Sequence, residues 1–298
     1  LSDMTEGFFI LDKPGDMTSF SASRKAGRLF GVKESGHCGT LDPMATGVLP
    51  VALGRATAFI DYLPDAGKAY RAVMRLGLKT DTDDITGSVT AESGFIPDAD
   101  SVTAACSEFV GRIEQVPPVY SAVKRDGVRM YELARRGETP DIPPRVVEVR
   151  SIVCTPTERP DEFVLECSCS KGTYLRALIR DIGEKLGSFA TMTALRRTRS
   201  NGFGLDMAVS FDALEASGNR SEFLVPLDSA LSAYPAARLS QAQSVRFSNG
   251  GSIDTGRLPT PVVPGLVRML SPDGVFLGLG ELKPGESEIL ARRVLGHG

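Results

Sequence analysis

Cysteine and histidine are both scarce in this 298-residue chain, at five and two residues. An odd number of cysteines argues against a disulfide framework. Cys167 and Cys169 are one residue apart and no Cys-x-x-Cys occurs, so the pattern also argues against a structural zinc site. The thiols are expected to be reduced and mostly buried. Any apolar run long enough to span a bilayer is missing too. So is a charged-then-apolar opening of signal-peptide form, which makes the cytoplasm the expected compartment. No Gly-x-Gly-x-x-Gly, P-loop or metal-ligand cluster is present, so nothing announces a nucleotide or metal cofactor. Finally, there is no net basic charge: 34 Lys and Arg stand against 37 Asp and Glu, a formal charge of −3. Nucleic-acid enzymes usually show a basic footprint.

What is present fits a globular protein, 42% hydrophobic and 24% charged. The length suits one large core plus a small second domain. Charge is unevenly spread. Residues 171–199 hold seven Lys and Arg against two acids, whereas residues 81–108 hold seven acids and no Lys or Arg. Such polarity lets one face attract phosphate while the whole stays acidic. Two differently solvated faces would give the same pattern.

Taken in order, residues 7–11 read as a buried strand. Thr18 or Ser19 caps a helix to about Phe30, with Ala22, Ala26, Leu29 and Phe30 on one face. Residues 54–63 read as a helix and 68–76 as a strand. In that strand Tyr70, Ala72, Met74 and Leu76 share a face opposite Arg71, Val73 and Arg75. The acidic run 80–87 fails as a calcium loop, because its fifth position is Ile85 and its sixth is Thr86; it reads as a structured turn. Residues 101–111 read as a helix capped by Ser101, 128–136 as a short helix, and 145–153 and 163–169 as strands. Leu175, Leu178, Ile179, Ile182 and Leu186 make the clearest amphipathic helix, with Tyr174 and Arg176 off its stripe at the N-terminal mouth. Residues 210–216 form a short helix, and the main core ends near Ala230. Residues 233–237 read as a linker into Gly-rich short strands at 265–270, 275–282 and 289–295, suited to a small β-barrel.

One stretch stands apart. A carboxylate, a histidine and three glycines crowd into residues 36–47, within Ser35-Gly36-His37-Cys38-Gly39-Thr40-Leu41-Asp42-Pro43-Met44-Ala45-Thr46-Gly47-Val48-Leu49-Pro50. Pro43 stiffens the chain after Asp42 and biases Asp42 toward an extended conformation. Asp42 is either presented to a ligand or is a surface turn residue capping a following helix. From the residues alone, Lys13 reads as an ordinary exposed lysine and Tyr70 as a core tyrosine with its hydroxyl satisfied.

Gly36-His37-x-Gly39-x-Leu41-Asp42-Pro43, followed by Gly47-Val48-Leu49-Pro50, resembles the catalytic motif of the TruB family of pseudouridine synthases, which modify the T-loop uridine (position 55) of tRNA. Cys38 stands where threonine is expected, and Met44-Ala45-Thr46 is a tolerated filling; neither touches the carboxylate. Three further stretches are similar to family segments: Lys13-Pro14-Gly15-x-x-Thr18-Ser19, Pro117-Pro118-Val119-Tyr120-Ser121-Ala122-Val123-Lys124, and Lys171-Gly172-Thr173-Tyr174-Leu175-Arg176. The resemblance spans most of residues 7–200, with its motifs in the expected order.

That resemblance implies an α+β fold: a mixed, largely antiparallel sheet with flanking helices, plus a small PUA-like β-barrel domain. The expected division is residues 1–232 for catalysis and 233–298 for RNA binding. It implies Asp42 as the essential catalytic residue and Arg176 as its electrostatic partner. Tyr70 would be a stacking ring that also helps remove the C5 proton, Tyr174 a wall of the base pocket, and His37 the residue that holds the T-loop open. Leu195 takes the active-site leucine position and Lys13 supports the architecture. Ser121, Ala122 and Lys124, with Arg125, Arg129, Arg135 and Arg136 nearby, either approach the RNA or form a rigid connector. The implied partner is tRNA, through its T-arm and, by the C-terminal domain, its acceptor stem. The chain is expected to act as a monomer without a membrane.

The implied reaction breaks the C1′–N1 bond of uridine, turns the base and joins C1′ to C5. It is an isomerisation with no redox change and no leaving group lost, so it requires no cofactor. An aspartate with an ordinary pKa of about 3.9 is ionised at neutral pH and can act as a nucleophile, at C1′ or C6. The uridine must first leave its stack. Two rival classes are a non-catalytic tRNA-binding or folding chaperone using the same basic face, and a glycoside or nucleoside hydrolase. The Asp42–Arg176 pairing argues against the first. The second normally needs another carboxylate as acid, and no comparable signature supplies one.

Overall fold

The structure, a computed structural model, describes residues 6–120, 124–125, 128–129 and 142–296. A ten-stranded sheet organises the larger part. Its main path runs Leu224–Val225, Gly7–Lys13, Thr46–Leu53, Ala190–Ser200, Lys68–Leu76, Glu162–Cys169, Arg145–Pro156 and Gly111–Gln115. Ser35–His37 pairs alongside Thr46–Leu53, and Phe203–Gly204 alongside Ala190–Ser200. One pairing in it is parallel: Thr46–Leu53 meets Ala190–Ser200 only where Arg196 faces Thr46 and Arg197 faces Gly47. The other pairings are antiparallel, which gives the expected mixed α+β sheet.

Among the described residues three helices of ten or eleven residues lie on one face, with the short helix Phe211–Ala216 burying Phe211 and Leu214 in the same cluster. Helix α1 (Ser19–Leu29) is capped by Thr18, whose hydroxyl accepts the Ser21 N–H, and buries Ala22 and Ala26. Helix α2 (Ala99–Glu108) starts two residues earlier than its predicted start at Ser101. The Asp98 carboxylate is the cap and takes the Ser101 N–H, while Gly111 opens a strand instead of closing the helix. Helix α3 (Leu175–Lys185) buries Leu175, Leu178, Ile179 and Ile182 as its periodicity predicts. Beneath these helices lie Phe9, Leu11, Leu49, Met74 and Leu165.

On the opposite face Phe8, Ile10, Val48 and Ala52 pack with Phe276 and Leu279 of a second sheet. The Phe59 ring, 5.7 Å from that of Phe276, joins the two. This second, five-stranded sheet runs Ala236–Arg238, Gly265–Leu270, Phe276–Leu282, Glu288–Val294 and Ile253–Asp254, around Phe247, Val267, Met269 and Ile289.

Four other local readings change. Residues 54–63 form a tighter 3₁₀ helix, Gly54–Tyr62, not an α-helix. Val128–Arg129 opens no helix: it pairs as a strand with Lys124–Arg125, while Ser121, Ala122 and residues 130–136 lie outside the described residues. Residues 233–237, expected as a linker, are partly strand, with Ala236 and Ala237 parallel to Arg268 and Met269. Helix Gln241–Ser248 was not foreseen, although Ser240 and Gln243 form a capping box before it. Among the described residues no helix is long and apolar enough to cross a membrane. The five cysteines are free, and four of them are buried.

Candidate active site

The Asp42 loop is built by its neighbours. Ser19, at the start of α1, donates its hydroxyl to the Leu41 carbonyl at 3.0 Å and accepts the Leu41 N–H at 2.8 Å. Lys13 is fully buried, against the reading of it as an exposed lysine. Its ammonium donates to the carbonyls of Pro14, Met17 and Pro43 at 2.8, 2.6 and 3.1 Å. Burial pushes its pKa from the usual 10.5 down to about 8. The Asp42 carbonyl closes a turn onto the Ala45 N–H, and Thr46 then begins a strand. Asp42 therefore caps no helix.

Arg197 supports the loop from below. Fully buried in the Ala190–Ser200 strand, it donates to the carbonyls of Val48, Gly39 and Thr40 at 2.7, 3.1 and 3.4 Å. Gly39 and Gly47 adopt φ of 87° and 100°. A Cβ at Gly47 would stand 2.2 Å from the Arg197 carbonyl oxygen, so the close crossing of these two strands requires glycine there.

Helix α3 brings the counter-charge. Tyr174 is its N-cap residue, and the buried Gln115 amide clamps the Tyr174 peptide, accepting its N–H at 2.8 Å and donating to its carbonyl at 3.2 Å. Within the first turn, Arg176 aims a two-pronged fork at Asp42, with Nε to Oδ2 at 3.0 Å and Nη2 to Oδ1 at 3.2 Å. Its remaining N–H groups reach the carbonyls of Thr82 and Tyr120, each at 2.9 Å, and Asp84 Oδ2 at 3.6 Å. The Arg176 side chain is only 5% exposed, while that of Asp42 is 32% exposed. The carboxylate thus meets solvent on one side and guanidinium on the other. Burial pushes the Asp42 pKa above its ordinary value. Arg176 pulls against that shift, and the Asp84 charge adds to it.

The acidic turn left without a role at sequence level is therefore part of the site. Asp84 Oδ1 accepts from the Thr82 hydroxyl and from the Thr86 N–H and hydroxyl, at 2.9, 3.0 and 2.5 Å. Arg180, one helical turn after Arg176, pairs with Asp83 at 3.0 Å and donates to the Val116 carbonyl at 2.9 Å. The Val116–Tyr120 segment hangs from the two arginines, which puts it beside Asp42. Asp84 and Thr82 carried a signal, the dense run of acids; Gln115 carried none. Arg197 was visible only as one of three arginines, with Arg196 and Arg199, that follow Leu195.

The other expected residues sit as follows. Tyr70 lies opposite Arg197 in the sheet and is 7% exposed, within the core rather than on the surface. Burial pushes its hydroxyl to about 12, so it stays a phenol at neutral pH. Leu195 packs in the same buried cluster. His37 is half-buried on the short strand beside Thr46–Leu53, its Nδ1 without a hydrogen-bond partner among the described residues. Burial, followed by the Arg197 charge, lowers its pKa, which keeps the ring neutral. The structure thus gathers Asp42, Arg176, Tyr174, Lys13 and the flanking Tyr70, Arg197 and His37 around one loop.

A family model for the TruB family pseudouridylate synthase N-terminal domain matches residues 27–175. The tRNA pseudouridylate synthase B C-terminal domain matches 176–232, and the C-terminal model of pseudouridine synthase II TruB matches 235–295. The tRNA pseudouridine synthase B of Burkholderia pseudomallei (strain 668) is 42% identical over 285 residues, 94% of each chain. The chain belongs to the TruB family. It is accordingly a pseudouridine synthase, an isomerase. The Pseudomonas aeruginosa (strain UCBPP-PA14) tRNA pseudouridine synthase B is 40% identical over 97% of this chain and 95% of that one. The fold is also that of a chain in an H/ACA RNP bound to a substrate RNA containing 2′-deoxyuridine. That chain is 23% identical with a TM-score of 0.73, covering 98% of this chain and 85% of its own. The TruB assignment fits the two sheets described above, the second being the curled sheet of the C-terminal region.

Proposed function

We propose that this TruB-family enzyme isomerises the T-loop uridine, position 55, of tRNA to pseudouridine, with Asp42 as the attacking group. Isomerisation of uridine in tRNA is the activity named for its relatives. The observation that carries the finer reading is the Asp42–Arg176 fork. A carboxylate open to solvent on one side, on a loop braced by Ser19, Lys13 and Arg197, is pre-positioned, and a buried cation opposes the burial that raises its pKa. A nucleophile needs both properties. The second carboxylate, Asp84, is 4% exposed and its Oδ1 is occupied by Thr82 and Thr86. It suits holding Arg176 better than protonating a leaving group, so a hydrolase reading gains nothing from it.

On this reading Tyr174, at the mouth of α3, walls the base pocket. Tyr70 and Leu195 form its apolar floor, with the Tyr70 phenol oxygen near the path of the C5 proton. A neutral His37 ring is suited to wedging between stacked loop bases, and Lys13 holds the loop. Residues 1–232 would act on the T-arm as a monomer. Residues 233–298 would reach the acceptor stem, where a cleft of 510 Å³ lined by Arg238, Ser240, Gln243 and Arg257 offers phosphate contacts. Mapping pseudouridine in tRNA by carbodiimide adducts and primer extension tests the assignment. A single stop at position 55 is expected; stops elsewhere with none at 55 would contradict it.

A further inference from the structure

Phe20 is the most exposed large hydrophobic side chain among the described residues, at 68%. It is placed where that exposure matters. Its chain neighbour Ser19 is bonded in both directions to Leu41, the residue before Asp42, and Met17 donates to the Pro43 carbonyl at 3.3 Å. The first turn of α1 is therefore fixed to the Asp42 loop. Ser19, Ala22, Ser23 and Ala26 point inward, while Phe20, Arg24 and Arg28 are exposed. These three recur at i, i+4 and i+8, so they form one outward ridge with steps of about 6 Å along the axis.

The arginines on this ridge are open to a ligand. Arg24 spends one nitrogen on the Lys33 carbonyl at 3.0 Å, and Arg28 has no ion pair among the described residues. Among the described residues, the one carboxylate bonded to α1, Glu215, is held by Lys25 at 2.8 Å. An exposed aromatic ring followed by cations is the arrangement that binds unstacked nucleotides, the ring taking a base face and the cations the phosphates.

We propose that the Phe20–Arg24–Arg28 ridge of α1 binds the single-stranded loop of the tRNA substrate next to the extruded uridine, with Phe20 stacking on a neighbouring base. This rests on the functional reading above. It commits to RNA because the ridge is cationic and starts in the helical turn that is bonded to the Asp42 loop. A protein partner would show as the test's contrary result.

The test uses the full chain. With the wild type and Phe20→Ala, the tRNA KM is expected to rise by roughly 5- to 100-fold, while kcat at saturating tRNA changes by less than about twofold. Phe20→Trp is expected to keep wild-type KM, and Phe20→Leu to lose it, since bulk without a π-face does not stack. Arg24→Gln and Arg28→Gln should each lower the slope of log Kd against log salt by about one, with tRNA as the probe. Binding is measured in the Asp42→Asn background, so it does not depend on turnover. Unchanged Kd and KM in Phe20→Ala, or wild-type binding by Phe20→Leu, would overturn the ridge even if pseudouridine forms normally. If no pseudouridine forms yet tRNA binding still needs Phe20, the ridge stands and the functional reading falls. Because Phe20 is exposed, its replacement leaves the melting temperature unchanged, which separates lost binding from lost folding.

Discussion

At the scale of residues, two buried cations set the behaviour of one carboxylate. Arg176 is the charge that most lowers the Asp42 pKa against the burial that raises it. On the proposed reading Asp42 attacks as the carboxylate, so activity is expected to rise with pH through its folded pKa, with this acid limb above the ordinary 3.8. In Arg176→Gln the opposing charge is gone and the limb is expected to move further up, read from single-turnover rates against pH. The same variant leaves two partly or fully buried carboxylates uncompensated and should cost about 3–5 kcal/mol of stability. Lys13 gives a stability signature of its own. Its pKa is about 8 folded and the usual 10.5 unfolded, so between these values the unfolded chain holds a proton that the folded chain lacks. Stability contributed by this group therefore rises with pH from about 8 to 10.5, and below that range the folded state bears the full cost of the buried charge. Urea midpoints of Lys13→Met are expected to lack that rise. They should also show a loss of about 1–3 kcal/mol near neutral pH, from carbonyls left unpaired. A Lys13→Met protein with the wild-type pH slope would contradict this assignment.

Among elements, the parallel contact of Thr46–Leu53 with Ala190–Ser200 is the critical one, because it fastens the loop carrying Asp42 to the middle of the sheet. Gly47→Ala places a Cβ 2.2 Å from backbone oxygen at a φ of 100°. It should cost about 3 kcal/mol or more in denaturant midpoint and lower kcat as well. Gly31→Ala, also at positive φ but with nothing within 4 Å, should cost only about 1 kcal/mol. Equal losses at both sites would mean that the crossing is not tight. This element also shows where sequence patterns run out. Ala190–Ser200 carries three arginines and two register shifts, so no period-2 alternation survives to announce a strand. Its arginines are tolerated centrally because Arg197 bonds loop carbonyls and Arg196 pairs with Asp12 at 2.7 Å. Helix α3 was legible because its apolar stripe is unbroken. The start of α2 was misplaced because Asp98 outcompetes Ser101 as cap, two candidates that spacing alone does not rank.

For the whole molecule, the net charge is −3, and the acidic and basic stretches of the sequence meet in the fold. Most acids of the 81–108 stretch face solvent, but Asp83 and Asp84 are turned inward onto Arg180 and Arg176. The apparent polarity along the sequence is thus partly neutralised in space, a pairing no linear count reveals. The motif residues were legible as chemistry because Asp42, Arg176 and Tyr174 stand in short distinctive runs. Of their supports, Gln115 carried no signal, and Thr82 and Arg197, though they stand in conspicuous runs, become meaningful only when distant segments meet. The proposal that Asp42 is the reacting carboxylate is tested most directly by the release of the C5 hydrogen. With tRNA carrying C5-tritiated uridine, the wild type is expected to release tritium in step with pseudouridine formed. Asp42→Asn is expected to release none while still binding tRNA. Release that survives in Asp42→Asn would contradict the account.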